Sequence, residues 1–207
     1  MQLFLVRHAQ SVANTTHVIA CEMPGSPLSV HGLTEADALA AQLIALDIEA
    51  VYHSRMRRTA QTIAPLAARA AVTPIELSGI HEVQLGDLAE HNDEHAHREL
   101  DALATRWNID DAIDERRPDG ESGREVLERM TSDFDRIRRE HGHSDRAVVV
   151  VAHGLCLRTA AHRWAGGISA PFAFHNLLPN TGIITIDVPA NPAARPMIVD
   201  WAGLGVG

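Results

Sequence analysis

The chain has 207 residues, of which 45% are apolar and 22% charged. That is an average composition for a folded domain able to bury a sizeable core, and it excludes wholesale disorder. The formal net charge is −9, from 18 basic and 27 acidic residues, which argues against nucleic-acid or anionic-membrane binding. All 18 basic residues are arginine, so Schiff-base lysine chemistry and a Walker-type phosphate loop are excluded. The longest uninterrupted apolar run, Ala147–Ala152, is far too short to cross a membrane. The opening Met-Gln-Leu-Phe-Leu-Val has neither a basic leader nor a small-residue cleavage site, so no signal peptide is expected. Cys21 and Cys156 are too few for a disulfide framework. These features predict a reduced, cytoplasmic protein.

In chain order, Leu3–Val6 is a short apolar run stopped by Arg7-His8, the pattern of a buried strand handing its last residues to a loop. Thr34 with Asp37 three residues on predicts a helix start, followed by Leu39, Leu43 and Leu46 at helical spacing. Ala50–Ser54 reads as a strand. Arg58–Ala71 reads as an alanine-rich helix with Ile63, Ala67 and Ala70 on one face and a possible kink at Pro65. Another short strand is expected at Thr73–Leu77. Residues 86–120 are polar and histidine-rich, with an amphipathic stretch near His95–Trp107; this predicts a lid insertion over the strand ends and not a second domain. Ser122–Glu140 is the clearest helix, striped by Val126, Leu127, Met130, Phe134 and Ile137. Ala147–Ala152 is a second buried strand, ending at His153-Gly154, and Leu155–Trp164 follows as a helix. Gly182–Val188 reads as an apolar edge strand that could pair in a homodimer. The tail over 189–207, with Pro189, Pro192, Pro196 and several glycines, reads as loosely ordered.

Strand–helix alternation of this kind predicts a single domain over 1–207. Its expected architecture is a three-layer α/β/α sandwich with a mostly parallel central sheet and a small helical lid insertion. Ligands of such sheets bind beyond the carboxyl ends of the strands, where His8, Ser54 and His153 fall.

A histidine at the end of one strand is more often hydrogen-bonded structure than chemistry. Here two such histidines, His8 and His153, accompany Ser54-x-x-x-Arg58-Thr59-x-x-Thr62 and Glu82 in Gly79-Ile-His-Glu. Further elements follow the same order: Asn14 six residues beyond His8, Pro27-Leu28-Ser29 with Gly32, Gly120-Glu121-Ser122, and Asn180-Thr181-Gly182. Together these residues resemble the histidine phosphatase superfamily, the phosphoglycerate mutase-like proteins, over roughly Leu3 to Ile186. Two positions depart from the pattern: Ala9 replaces a common glycine and Gln10 a usual glutamate.

The resemblance implies a phosphohistidine mechanism, and the residues present suit one physically. Phosphoryl transfer spreads charge over three equatorial oxygens. Arg7 and Arg58 can fork onto those oxygens, and His153 adds a further donor. A neutral His8 is the expected nucleophile. Glu82 is the expected general acid and later base, with His81 and Glu90 near it in sequence as competitors. Asn14 and the Gly154 amide would position oxygens. The catalytic set is therefore expected to be His8, Glu82, His153, Arg7 and Arg58, and the substrate-binding set Arg7, Asn14, Arg58, His153 and Gly154, with no metal and no cofactor.

The resemblance further implies, by chain length and the modest lid, the short phosphatase branch: a metal-independent, acid phosphatase-type phosphomonoesterase acting on a small phosphorylated metabolite. A phosphoglycerate mutase-type transferase and a catalytically inactive phosphate-binding homologue are the alternatives. His91, His95 and His97 have a spacing compatible with Zn²⁺ but read more readily as a solvated face. One of them entering the pocket from the lid is a further reading. Cys156 reads as a buried small side chain before it reads as a nucleophile. Arg116-Arg117 fits either a second anion site or a solvated charge run, and Arg158 faces either the site or solvent.

Overall fold

The computed structural model describes residues 1–206. Its elements in chain order are β1 (Gln2–Arg7), α1 (Val12–Thr15), α2 (Val30–Leu43), β2 (Ile48–Ser54), α3 (Arg57–Ala70), β3 (Ile75–Leu77), α4 (Glu94–Asn108), α5 (Gly123–His141), β4 (Ala147–Ala152), α6 (Gly154–Trp164), α7 (Ala170–His175), β5 (Ile183–Asp187), β6 (Met197–Trp201) and β7 (Leu204–Gly205). A single 3-10 turn covers Gly86–Leu88. The seven strands form one sheet in the order β3-β2-β4-β1-β5-β6-β7. The pairs β3/β2, β2/β4 and β4/β1 are parallel, and β5, β6 and β7 extend the sheet by antiparallel pairing.

Alternation along the buried strands sorts side chains onto two faces. Phe4, Val6, Val149 and Val151 join Leu39 and Leu43 of α2 and Ile63 and Leu66 of α3. Leu3, Leu5, Val148 and Val150 join Val126, Met130 and Phe134 of α5 and Leu157 of α6. Both faces are therefore covered by helices, giving the expected three-layer α/β/α sandwich. Within residues 86–120, Leu103, Ala104 and Trp107 of α4 are buried in the same core as α5 and α6. Helix α4 is thus rooted in the core that α5 and α6 share.

Several local readings are corrected. Helix α2 is capped five residues before the predicted Thr34, at Ser29, whose Oγ accepts from the Gly32 amide at 2.9 Å. Thr34 instead lies inside the helix. The first turn can start there because Gly32 lies against the Gln10 carbonyl: a Cβ at this position would come within 2.0 Å of that oxygen. Helix α3 runs through Pro65 without interruption. The Gly182–Val188 segment is not an edge strand, because β5 is paired on both sides, to β1 and β6. It has no free edge for a homodimer; the edges of the sheet are β3 and β7. The tail is not loosely ordered throughout, since β6 adds to the sheet and buries Ile198 and Trp201. Trp201 also donates from Nε1 to the Asn176 carbonyl at 2.8 Å, which ties the tail to the end of α7.

Among the described residues, no helix is long and apolar enough to cross a membrane.

Candidate active site

The sheet order creates the site. Strand β4 lies between β1 and β2, and β1 pairs with it in register through Arg7↔Ala152. The next residue of each strand is a histidine, so His8 and His153 emerge side by side, with ring centroids 5.2 Å apart and planes at 61°. Ser54, the last residue of β2, reaches His153 from the other flank. Arg58 enters from the first turn of α3. It donates from Nε to His8 Nε2 at 3.0 Å and to His153 Nδ1 at 3.2 Å.

Hydrogen bonding assigns the tautomers. His8 donates from Nδ1 to the Ala9 carbonyl at 2.7 Å, leaving Nε2 with its lone pair. His153 accepts at Nδ1, so its Nε2 donates to Ser54 Oγ at 2.8 Å. Both rings are buried, and burial, followed by the Arg58 charge, drives their pKa values well below the ordinary histidine range. Both are neutral at pH 7. The backbone around His8 is equally fixed: Thr62 Oγ1 accepts from the Ala9 amide at 3.0 Å, and Asn180 Nδ2 donates to the His8 carbonyl at 3.0 Å.

Arg7 and Arg58 are the positive charges of this floor. Arg7 donates from Nη1 to the Leu178 carbonyl at 2.6 Å, and Arg58 from Nη2 to the Ala20 carbonyl at 3.2 Å. Arg7 Nε and Arg58 Nη1 are buried donors without a protein acceptor. A buried unmade bond of this kind costs roughly 1–3 kcal/mol, which an anion offering several oxygens would recover. Burial lowers both arginine pKa values, opposed chiefly by the Glu82 carboxylate, but a guanidinium stays protonated.

Glu82 completes the set. Its Oε1 accepts from the Cys156 and Val83 amides, each at 3.0 Å, and its Oε2 from the Leu155 amide at 3.3 Å. The carboxylate is thus seated on the first turn of α6, where backbone N–H groups and the helix dipole favour negative charge. Arg129 holds the loop that carries it. It pairs with Glu121 through Nε at 2.8 Å and donates from Nη1 to the carbonyls of Gly79 and His81.

These groups open on a cavity of about 480 Å³, whose polar lining is Arg7, His8, Ser11, Asn14, His17, Arg58, Glu82, His97, Gly154 and Arg158. Its remaining wall is mainly Leu85, Leu100, Leu155, Leu177 and Leu178, with Ile19 and Cys21. The bare Gly154 backbone lets Arg7 pack closely, since a Cβ there would lie 3.2 Å from Arg7 Nε. Asn14 uses its Oδ1 to cap Ser11 and accept from the Ser11 amide at 3.0 Å. Every residue expected at the site from sequence therefore lies at one cavity or, for His153, directly beneath it.

The competing readings resolve differently. Neither His81 nor Glu90 lines the cavity; His81 Nδ1 donates to the Glu82 carbonyl. The lid histidines do not converge. His91 precedes α4 and faces Asp93 at 3.3 Å, and His97 alone reaches the cavity, with its Nε2 donating to the His17 carbonyl at 2.8 Å. Among the described residues, no three His, Cys, Asp or Glu side chains are grouped as metal ligands. Cys156 is buried and its thiol donates to the His153 carbonyl, while burial pushes its pKa well up; it is not poised as a nucleophile. Arg117 is spent on Asp87 at 2.9 Å and Glu99 at 2.7 Å, and Arg116 on Glu125 at 3.1 Å, so neither forms a second anion site. Gln10 turns from the cavity, its Oε1 accepting from Ser29 Oγ at 2.7 Å. The residues that sequence reasoning did not place at the site include Ser11 and His17, which line the cavity close in sequence to His8, and Asn180, which reaches the His8 carbonyl from a distant loop. Arg158 had a legible signal: four residues after Gly154 on one helix, it shares that residue's face.

The chain is similar in sequence and in fold to known proteins. A Proteus mirabilis protein named "Probable phosphoglycerate mutase GpmB" is 28% identical over 163 residues, 76% of this chain and 71% of that protein. The curated relatives matched are spanned by this chain over 14% to 71% of their length, and several over half or less. A mycobacterial glucosyl-3-phosphoglycerate phosphatase superposes with a TM-score of 0.80 at 22% identity, covering 97% of this chain and 98% of that one. The alpha-ribazole phosphatase of Shigella flexneri gives 0.74 at 19% identity, covering 100% and 98%. The sequence profile of the histidine phosphatase superfamily, branch 1, matches residues 3–194. With that profile spanning both histidine-bearing strands and everything between them, the chain belongs to the histidine phosphatase superfamily.

Proposed function

We propose that this chain is a metal-independent phosphomonoesterase that hydrolyses a small phosphorylated metabolite through a phosphohistidine on His8. The observation that carries this reading is the His8 Nδ1–H···O bond to Ala9, which leaves a neutral Nε2 facing the two buried arginines with unmet donors.

The phosphate dianion binds on Arg7 and Arg58, with Asn14 and the Gly154 amide fixing oxygens. Arg58 Nε, which now meets the His8 lone pair at 3.0 Å, turns to an equatorial oxygen and frees Nε2 for in-line attack. A P–Nε2 bond forms as the ester P–O bond breaks, and Glu82 gives its proton to the leaving oxygen. Water then attacks the phosphohistidine, Glu82 takes the water's proton, and the P–Nε2 bond breaks to release inorganic phosphate. Guanidinium charge, held in a site largely screened from water, supplies the electrostatic stabilisation of the transition state. A cavity of about 480 Å³ suits a small metabolite. The two structural neighbours are named for phosphoesters with very different leaving groups, so the fold does not select one.

The test is hydrolysis of p-nitrophenyl phosphate in excess EDTA, with wild type beside His8→Ala, and acid-labile labelling from a ³²P-phosphoester. Activity that survives EDTA, is lost by a factor of at least ~10³ in His8→Ala and accompanies an acid-labile label supports the reading. Loss to EDTA overturns metal independence. A label that passes to an added acceptor and not to water means a mutase-type transferase. No label means a binding homologue.

A further inference from the structure

The segment that carries Glu82, residues 78–85, forms neither helix nor strand, so its backbone groups must find partners elsewhere. They find them on α5 and just before it. Arg129 donates from Nη1 to the carbonyls of Gly79 and His81, and its Nη2 lies 3.5 Å from the Glu82 carbonyl. Its Nε and Nη2 close on the two Glu121 oxygens at 2.8 and 3.0 Å. Every N–H of the guanidinium is thereby spent. Asp133, on the same face of α5 one turn later, accepts from the Gly79 amide at 2.7 Å. Gly79 lies so close to the helix that a Cβ would come within 2.6 Å of both the Arg129 carbonyl and Asp133 Oδ2. Glu121 closes the circuit. Its Oε2 accepts from the Gln84 amide at 2.9 Å, and Gln84 Nε2 donates to the Glu82 carbonyl at 3.0 Å and to the Cys21 carbonyl at 2.9 Å.

The Glu82 backbone is therefore gripped from behind while its side chain runs forward to the Leu155 and Cys156 amides. Arg129 itself does not line the cavity, so it reaches the chemistry only through Glu82. The phosphate floor is built separately, from β1, β4 and α3. Arg7, His8, Arg58 and His153 make their hydrogen bonds to one another, to Ser54 and to the carbonyls of Ala9, Ala20 and Leu178, and none to residues 79–84. Fold stability alone does not call for such a pair. Arg129 and Glu121 are both mostly buried, and the desolvation of a buried ion pair offsets most of its attraction. What the arginine adds is geometry, because one rigid planar fork holds several carbonyls in a fixed relation.

We propose that Arg129, backed by Glu121, is a positioning residue for proton transfer: it sets the Glu82 carboxylate against the leaving oxygen and takes no part in holding the phosphate. The assignment rests on the phosphatase reading for what Glu82 does, but the placing of Glu82 by Arg129 does not depend on turnover.

The variants are Arg129→Met, which removes the donors, and Arg129→Lys, which keeps the charge without the fork. Circular dichroism checks their folding, and the lysine variant carries the test if the methionine protein is unfolded. Two readouts are taken. ¹H–¹⁵N NMR follows the Leu155 and Cys156 amides, which report directly on the seat of Glu82, with Glu82→Ala as the reference for its loss. Kinetics compares kcat/KM, which reports ester cleavage and not the later attack of water, for glycerol 3-phosphate and 2,4-dinitrophenyl phosphate. In Arg129→Met both amide signals are expected to move toward their Glu82→Ala positions. With them, kcat/KM for glycerol 3-phosphate falls by about 10- to 100-fold, a large part of what acid catalysis supplies. Cleavage of 2,4-dinitrophenyl phosphate and inhibition by inorganic phosphate stay unchanged, and Arg129→Lys recovers part of the loss. Unmoved amide signals overturn the assignment. An equal loss on both esters overturns it too, because disturbed packing then explains the effect. If the wild type hydrolyses neither ester, the phosphatase reading falls, and the amide signals alone decide whether Arg129 places Glu82.

Discussion

Ser54 Oγ lies 2.8 Å from His153 Nε2, so the last residue of one strand accepts the hydrogen that the Arg58 Nε donor at Nδ1 leaves on the other nitrogen of the neighbouring strand's histidine. With that hydrogen on Nε2, Nδ1 is free to accept from Arg58 Nε. Ser54 in turn reaches Thr59 Oγ1 at 2.9 Å, at the start of the helix that carries Arg58. Ser54→Ala is expected to leave a buried N–H unmet and destabilise the fold by about 1–3 kcal/mol. Arg58 then loses its fixed angle, and kcat falls. Urea unfolding together with steady-state kinetics checks this; unchanged stability would mean that the ring had simply changed tautomer.

Glu82→Gln keeps the shape of the carboxylate but cannot supply a proton. If Glu82 protonates the leaving oxygen, the loss is expected to be about 10²- to 10⁴-fold for an alkyl phosphate. It should be far smaller for 2,4-dinitrophenyl phosphate, whose leaving group needs no proton. An equal loss on both esters would assign Glu82 to holding the Leu155 and Cys156 amides and not to acid catalysis.

The depressed pKa values of His8 and His153 fix the sign of the pH response. Both stay neutral in the folded protein below the ordinary value near 6.5, while the unfolded chain takes up protons there. Stability is therefore full above about pH 6.5 and declines as the pH falls. The acid limb of kcat/KM lies below 6.5 for the same reason. His162, lowered to about 4 by burial, adds to this slope between 6.5 and 4. Its Nδ1 donates to the Arg158 carbonyl, and its Nε2 is buried without a partner. His162→Leu is expected to reduce the acid slope of urea-derived stability by roughly one proton, about 1.4 kcal/mol per pH unit. An unchanged slope would remove His162 from the explanation.

Gly154→Ala places a methyl group 3.2 Å from Arg7 Nε and 3.5 Å from its Cδ. The arginine must move by a few tenths of an ångström, and its buried Nε is one of the donors aimed at the phosphate. KM for an aryl phosphate is expected to rise several-fold with little change in melting temperature. A large stability loss with normal KM would show that the contact matters to packing alone.

Much of this was written locally. Leu3–Val6 and Ala147–Ala152 are runs that only a strand covered on both faces can bury, and they stop at Arg7-His8 and at His153 because the chain there leaves the core. Ser122 starts α5 where it was expected, because a capping box with Glu125 needs only four consecutive residues. By contrast, Thr34 and Asp37 imitate a helix start, and nothing local shows that Ser29 caps first against the Gly32 amide. The tail's prolines and glycines speak for looseness, yet Trp201 is fully buried, because the free edge of β5 gains a strand by pairing with it.

The sequence by itself determined which side chains could do phosphate chemistry, the layers that bury the core, and the ends of strands where chemistry belongs. Only the tertiary structure decided that β4 is inserted between β1 and β2, which sets His153 between His8 and Ser54. It also decided that Arg117 is neutralised by Asp87 and Glu99 while Arg158 is not. Strand order and ion pairing join residues tens to more than a hundred positions apart. Their energies depend on which surfaces meet in space, and no local pattern of hydrophobicity or charge carries that information.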